Sequence, residues 1–359
     1  MSKPRVAVVY GGKSTEHEVS LQSAYGITAN INLDKYHVFY IYVDKQGHWF
    51  EHTESEFNQV RSGKNAHGKA LYVQLGLGKQ SLRRLDDNSA FPVDVIFPIV
   101  HGNFGEDGCL QGLLRMAEIP FVGAGVLGSA VGMDKEVAKR LLDHAAIANA
   151  KYLTVYEYDD PPDYQQASTQ LGTIMFVKPA AQGSSVGISK VKGPDGWQAA
   201  LDHAFQFDDK ILVEEFIDGR EVEVSVLGNS TVEASLPGEI IPNADFYSYD
   251  AKYMDADGAK LVIPARLPDA VMARMRELAI KTYRTLGCEG MTRVDFFVCP
   301  DNRLVINEVN TLPGFTPISM YPKLWQASGL PMLDLTDRLI ELAIDRFDRQ
   351  ARKQRSIKI

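Results

Sequence analysis

Residues 292–310, TRVDFFVCPDNRLVINEVN, constrain the fold more than any other stretch of the chain. Two β-branched and aromatic runs flank PDNR, a turn sequence, so the segment reads as an antiparallel hairpin. A two-residue Asp301-Asn302 turn places Asp295 opposite Glu308 and Arg293 opposite Asn310, all on one face. Val294, Phe296 and Val298 then take the other face, against Val309, Asn307 and Val305. Directly opposed side chains have Cβ atoms about 4.5–5.5 Å apart, where like charges destabilise. Aspartate, glutamate and an amide oxygen are hard donors, suited to Mg²⁺ carrying phosphates. The other reading is a surface cluster that Arg293 neutralises. A one-residue change in the turn would move the pair out of register.

The rest of the chain has an ordinary soluble composition. Its 359 residues favour two or three domains, with 45% hydrophobic and 23% charged residues. No apolar run reaches the roughly 18–20 residues that cross a bilayer. The opening MSKPRVAVVYGG enters a strand at once and carries no secretory signature. Cys109, Cys288 and Cys299 lack metal-type spacing and read as reduced, small core residues of a cytoplasmic protein. A net charge of −8 argues against a nucleic-acid footprint. The basic tail RQARKQRSIKI reads as a solvated, fraying helix end.

The first third alternates strand and helix signals. RVAVVY (5–10), HVFYIYV (37–43) and VDVIFPIV (93–100) are near-continuous apolar runs, as expected of parallel strands covered on both faces. STEHEVSLQSAYGITANI reads as a helix capped by Ser14 or Thr15. GEDGCLQGLLRMAEI reads as a second helix, with Leu110, Leu113, Leu114 and Ala117 on one side. This gives a parallel α/β layer domain over 1–127. A second unit, 128–215, opens with the helix DKEVAKRLLDHAAI and contains the strands TIMFVKP and ILVEEFI. A third, 216–359, contains EVEVSVLG, the polar aromatic loop NADFYSYDAKYMDADG and the long helix DAVMARMRELAIKTYRTLG. In that helix Leu278, Tyr283 and Leu286 face the core, and Gly287 ends it.

KPAAQGSSVGIS, residues 178–189, contains the letters of a nucleophile elbow, G-x-S-x-G. That motif needs a following helix and a later histidine. Only His203 follows Ser185, and GISKVKGPDGW reads as a strand and turn. The hydrolase reading fails. A strand–turn–strand lid with converging N–H donors, beside the cation of Lys178, suits phosphate. An ordinary surface hairpin suits the letters equally well. GGKS near the N-terminus is no Walker loop, because Ala7 stands where its first glycine belongs.

Lys135 in MDK, Lys178 in VKP, QGSSVG, VEEFI with GRE, and RVDFF with NEVNTLPGFT together resemble the ATP-grasp superfamily. GGKSTEHEVS, HGNFGEDG and YDAKY are similar to its D-alanine–D-alanine ligase family, in family order from about residue 5 to 340. The resemblance implies a Rossmann-like substrate domain, a central lid domain and a C-terminal catalytic domain. It implies ATP and two Mg²⁺ (or Mn²⁺) as cofactors, D-alanine as substrate, a homodimer, and no nucleic-acid or membrane partner. Lys135 and Lys178 match the phosphate lysines, with Gly183, Ser185 and Lys252 also on the nucleotide. Glu214, Phe216, Ile217 and Glu221 match the adenine and ribose contacts. Asp295, Glu308 and Asn310 match the metal ligands. Glu16 matches the holder of the first D-alanine's ammonium, with His101 nearby and Ser184 bonded to Glu16 and Tyr253. Arg293 and the Gly314 N–H match oxyanion donors, and Ser319 and Met320 the site of the second carboxylate. The QGSSVG hairpin and the 243–258 loop are implied lids. Peptidoglycan precursor synthesis is the implied role. D-lactate as second substrate, another carboxylate–amine pair, or nucleotide binding without turnover are the rivals. Without the resemblance, Glu16 is an ordinary first-turn acid, His101 a satisfied core histidine and Tyr253 a loop anchor.

Overall fold

The computed structural model describes residues 2–242 and 259–353, which form three sheets in chain order. In the first, Arg5–Gly11 runs parallel to His37–Val43 on one side and Val95–Pro98 on the other. Val6 to Tyr10 are fully buried, as a strand covered on both faces must be. Beyond His37–Val43 the sheet turns antiparallel through Trp49–His52, Lys69–Val73 and Leu82–Arg84. The parallel expectation therefore holds for three strands. The outer three form an antiparallel meander, in which Trp49–His52 and Lys69–Val73 are joined through helix Glu54–Arg61.

Helix His17–Thr28 covers one face of this sheet through Leu21, Ala24 and Ile27. It begins later than a Ser14 or Thr15 cap implies, since Glu16 holds the cap position without a side-chain cap bond. Ser14 instead donates to the His101 carbonyl and accepts from the Glu16 N–H, so it ties two loops together. In helix Cys109–Met116, Leu110 and Leu114 take the core side. That leaves Cys109 exposed, against expectation, whereas Cys288 and Cys299 are buried.

The second sheet runs Tyr152–Tyr156, Lys210–Glu215, Met175–Pro179, Ser189–Val191, antiparallel throughout. Val177, Ile211 and Val213 pack on Ala200, Leu201 and Ala204 of helix Trp197–Phe205, in a core of their own. A unit with its own core can move as one piece.

The third sheet runs Ala259–Val262, Gly238–Pro242, Arg220–Gly228, Gly290–Val298, Leu304–Asn310. One face packs Val222, Val224, Val294 and Phe296 against helix Asp269–Thr285 and Leu142 of helix Lys135–His144. Helix Asp269–Thr285 ends as expected, with Gly287 left-handed at φ 68°. Helices Met320–Ala327 and Met332–Ala351 return to the first sheet, so Val6, Val8, Leu335 and Leu339 share one core. This clamps the first and third sheets together. Among the described residues no helix is long and apolar enough to cross a membrane.

Candidate active site

The hairpin at 290–310 brings Asp295 opposite Glu308 and Arg293 opposite Asn310, as expected. It does so by two departures that cancel. The turn has three residues, not two: Cys299 N–H bonds Arg303 O, and Asn302 is left-handed at φ 60°. The shift this causes pairs Val298 with Leu304 and Phe296 with Ile306. A bulge between Asp295 and Phe296 then absorbs one residue, Asn307, and restores the register. Ile306 bonds outward to Ala148 O at that point. Asn307 is thereby moved from the apolar face to the cleft, which it lines beside Glu308.

A third carboxylate extends the pair into a row. Glu223, on the neighbouring strand, stands in register with Asp295 and is 6% exposed. Sequence reading missed it, although Glu221, Glu223 and Ser225 alternate cleanly with the core residues Val222, Val224 and Val226. Arg293 holds Asp295 through two bonds of 2.8 and 2.7 Å, and its Nε lies 3.0 Å from Glu223. Lys135 Nζ lies 3.5 Å from Glu308 and donates to Gln182 O at 2.6 Å. One cleft of about 400 Å³ contains this row.

The QGSSVG hairpin closes over the cleft. Ser184 and Ser185 are both left-handed, at φ 53° and 61°, in a turn whose N–H groups can converge on an anion. Ser184 Oγ donates to Glu16 Oε1. Gly183 permits this approach, because a Cβ there would lie 3.1 Å from Glu16 Oε2. Glu16 is 6% exposed and lines the cleft.

Behind the hairpin lies a second cavity of about 300 Å³, lined by Lys178, Ser185, Phe216, Ile217 and Glu221. Lys190 lies over the Phe216 ring, 4.5 Å from its centre. Glu214 sits at the inner wall, 2.7 Å from Lys178 Nζ and 3.1 Å from Lys139 Nζ. Burial raises its pKa, but the two lysine charges outweigh burial and hold it below the ordinary carboxylate value. Lys135, Ser184 and Glu308 line both cavities, which meet beneath the lid.

At the other end, Ser319 Oγ accepts from Thr316 N–H at 3.0 Å, and Gly314 packs tightly on it: a Cβ would lie 2.8 Å from that oxygen. The Gly314 N–H meets no acceptor among the described residues, and Gly314, Ser319 and Met320 line the cleft. Asn310 Oδ1 accepts from Leu312 N–H at 3.1 Å. His101 stands behind the cleft wall, 3.0 Å from Ser23 Oγ and 3.6 Å from Glu106 Oε1. Burial opposes its charged form, yet Glu106 and Glu16 raise its pKa overall. Lys252, Tyr253 and the 243–258 loop lie outside the described residues.

A small antiparallel lid sheet and a larger antiparallel sheet that enclose a slot between them, attached to an α/β domain, define the ATP-grasp class of enzyme. The chain matches the family models "D-ala D-ala ligase N-terminus" over residues 5–124 and "D-ala D-ala ligase C-terminus" over 141–341. It is 49% identical to the D-alanine–D-alanine ligase of Oceanobacillus iheyensis, over 99% of both chains. Among solved structures it is similar to the D-alanine–D-alanine ligase from Coxiella burnetii (TM-score 0.87, 38% identity, covering 98% of this chain and 97% of that one). It is also similar to the VanG D-Ala:D-Ser ligase from Enterococcus faecalis (TM-score 0.87, 35% identity, covering 95% and 100%). The chain belongs to the D-alanine–D-alanine ligase family, and it is a ligase.

Proposed function

We propose that the cleft joins two D-alanines into D-alanyl-D-alanine, driven by ATP, through a D-alanyl phosphate. A carboxylate is a poor electrophile, and phosphorylation supplies it with a leaving group. The observation that carries this reading is the meeting of the two cavities at Lys135, Ser184 and Glu308. There a terminal phosphate from the slot reaches a carboxylate held in the cleft.

The chain's own groups divide the work. Glu16 holds the first substrate's ammonium, fixed by Ser184 and, on the loop outside the described residues, by Tyr253. His101 sets the charge behind that pocket. Lys135, Lys178 and the Gly183–Ser185 turn hold phosphates, with Lys252. Glu214, Phe216, Ile217 and Glu221 hold adenine and ribose. Arg293 and the Gly314 N–H face the oxyanion formed when the second amine attacks, and donors aimed at developing charge give the largest catalytic gains. Ser319 and Met320 receive the second carboxylate. The lid keeps water from the acyl phosphate.

Asp295, Glu308 and Asn310 fit a hard divalent cation, since their oxygens are grouped on the cleft face. Mg²⁺ or Mn²⁺ takes few carboxylates and completes its shell with phosphate and water, so these residues would hold it together with the substrate's phosphates. Two such ions would neutralise the charge of the transferred phosphoryl group. The reading places the enzyme in the cytoplasm as a homodimer serving peptidoglycan precursor synthesis.

Purified protein with ATP, Mg²⁺ and D-alanine should release one phosphate per dipeptide, with little depsipeptide or D-alanyl-D-serine when D-lactate or D-serine is added. Phosphate release without a dipeptide mass would point to another carboxylate–amine pair. Nucleotide binding without phosphate release would point to a non-catalytic binding protein.

A further inference from the structure

Among the described residues Glu214 has two lysine partners, and only one of them lines the nucleotide cavity. Lys178 lines that cavity. Lys139 does not: its side chain is 2% exposed, 3.1 Å from Glu214 Oε1. It also donates to Ala150 O at 3.0 Å and lies 3.4 Å from Asn149 Oδ1. Its place follows from helix Lys135–His144, where residues four apart share a face. Lys135 at the first turn meets the cleft, and Lys139 one turn later meets the buried carboxylate.

We propose that Lys139 is a positioning residue, which keeps Glu214 charge-balanced so that Lys178 can turn to the nucleotide phosphates. The inference rests on the reading of Lys178 as a phosphate lysine. Two ammonium groups on one buried carboxylate leave one positive charge in excess, available to an incoming anion. With Lys139 removed, Lys178 and Glu214 form a one-to-one buried pair. Taking Lys178 from it would strand a carboxylate away from water, which is strongly unfavourable. Lys139 thus acts on nucleotide affinity from a place no nucleotide touches. A purely structural lysine would support the core around Leu142 and leave nucleotide affinity alone.

Among the described residues Glu214 is faced by Lys139 on that helix and Lys178 on one neighbouring strand, with Tyr152 in register on the other; Asp143 acts on Lys139, which lies over the Tyr152 ring.

The test is steady-state kinetics of Lys139→Met, alone and combined with Glu214→Gln, in the full-length enzyme. Lys139→Met should raise the KM for ATP at least about tenfold, with the KM for D-alanine unchanged. In the Glu214→Gln background, where no charge can be stranded, the same change should cost less than about twofold. If Lys139→Met does not fold, the double variant should fold and bind ATP; a double variant that folds no better overturns the proposal. Equal penalties in both backgrounds, or a fall in stability without a change in ATP KM, also overturn it. Lys178→Met is the control. If it leaves the ATP KM unchanged, the phosphate reading itself fails, and the proposal falls with it.

Discussion

Ser184, at the tip of the lid hairpin, donates its hydroxyl to the Glu16 carboxylate, 168 residues earlier in the chain. The bond joins the lid to the first sheet's leading helix, across the mouth of the cleft. Ser184→Ala should therefore lower kcat/KM for D-alanine about 10- to 100-fold, the worth of one charge-assisted bond of about 1.5–3 kcal/mol. The ATP KM should move much less, and the melting temperature should stay within a degree or two. Parallel titrations of both substrates check this. A loss confined to ATP would assign Ser184 to the nucleotide instead.

Asp295 and Glu308 face each other, each with its own cation, Arg293 for the first and Lys135 for the second. Removing the Glu308 charge should abolish a metal-dependent reaction without removing much stability. Glu308→Gln should reduce turnover by at least about a thousandfold. Metal-free stability should change by less than about 1 kcal/mol, because Glu308 is partly exposed and the Lys135 contact is long. Thermal melts without Mg²⁺ and phosphate release with it make the comparison. Retained turnover in a strongly destabilised variant would assign the pair a structural role.

What the sequence could reveal is clearest at this hairpin. Alternation placed Arg293, Asp295, Glu308 and Asn310 on one face, and that face lines the cleft. The turn length was misjudged, because Asn302 in the left-handed region closes a three-residue loop as readily as a two-residue one is closed by an Asp-Asn pair. The bulge at Asn307 was illegible, since it depends on Ile306 bonding a segment far away in sequence. Glu223 and Lys139 were missed for a related reason. Each looks like an ordinary charged residue until a neighbouring strand or helix buries it against a partner. The three apolar strands of the first sheet were plain from composition, whereas the polar meander at 49–84 offered only weak signals. Ser14 illustrates competition between roles: it suits a helix cap, but the loop at His101 claims its hydroxyl.

Two buried histidines give stability opposite dependence on pH. His52 is 4% exposed and bonded to Tyr10, and burial lowers its pKa, with Glu56 opposing. A lowered pKa keeps it neutral in the folded state, so its contribution is lost as pH falls below the unfolded value of about 6.5. For His101 the pKa is raised, so its contribution is full below about pH 6.5 and is lost as pH rises through the folded value. Relative to wild type, His52→Asn should lose less stability on acidification, and His101→Gln less on moving to alkaline pH. Urea unfolding of both variants across pH 5 to 8.5 checks the signs.

Arg346 fastens the last helix to the first domain. It is 4% exposed, bonds the carbonyls of Phe121 and Gly123, and lies over the Phe121 ring. Arg346→Ala should cost about 3 kcal/mol or more, because two buried carbonyls lose their donor; Glu289 keeps its closer partner, Arg349. Its ATP and D-alanine KM values, measured well below the lowered melting temperature, should match wild type.

The account turns on a carboxylate that is phosphorylated before it is joined. D-Alanine labelled with ¹⁸O in both carboxylate oxygens should give a dipeptide with one label in its new amide carbonyl and one ¹⁸O in each phosphate released, alongside ADP. Unlabelled phosphate, with the expelled ¹⁸O released into water instead, would contradict an acyl phosphate and with it the proposed use of this cleft.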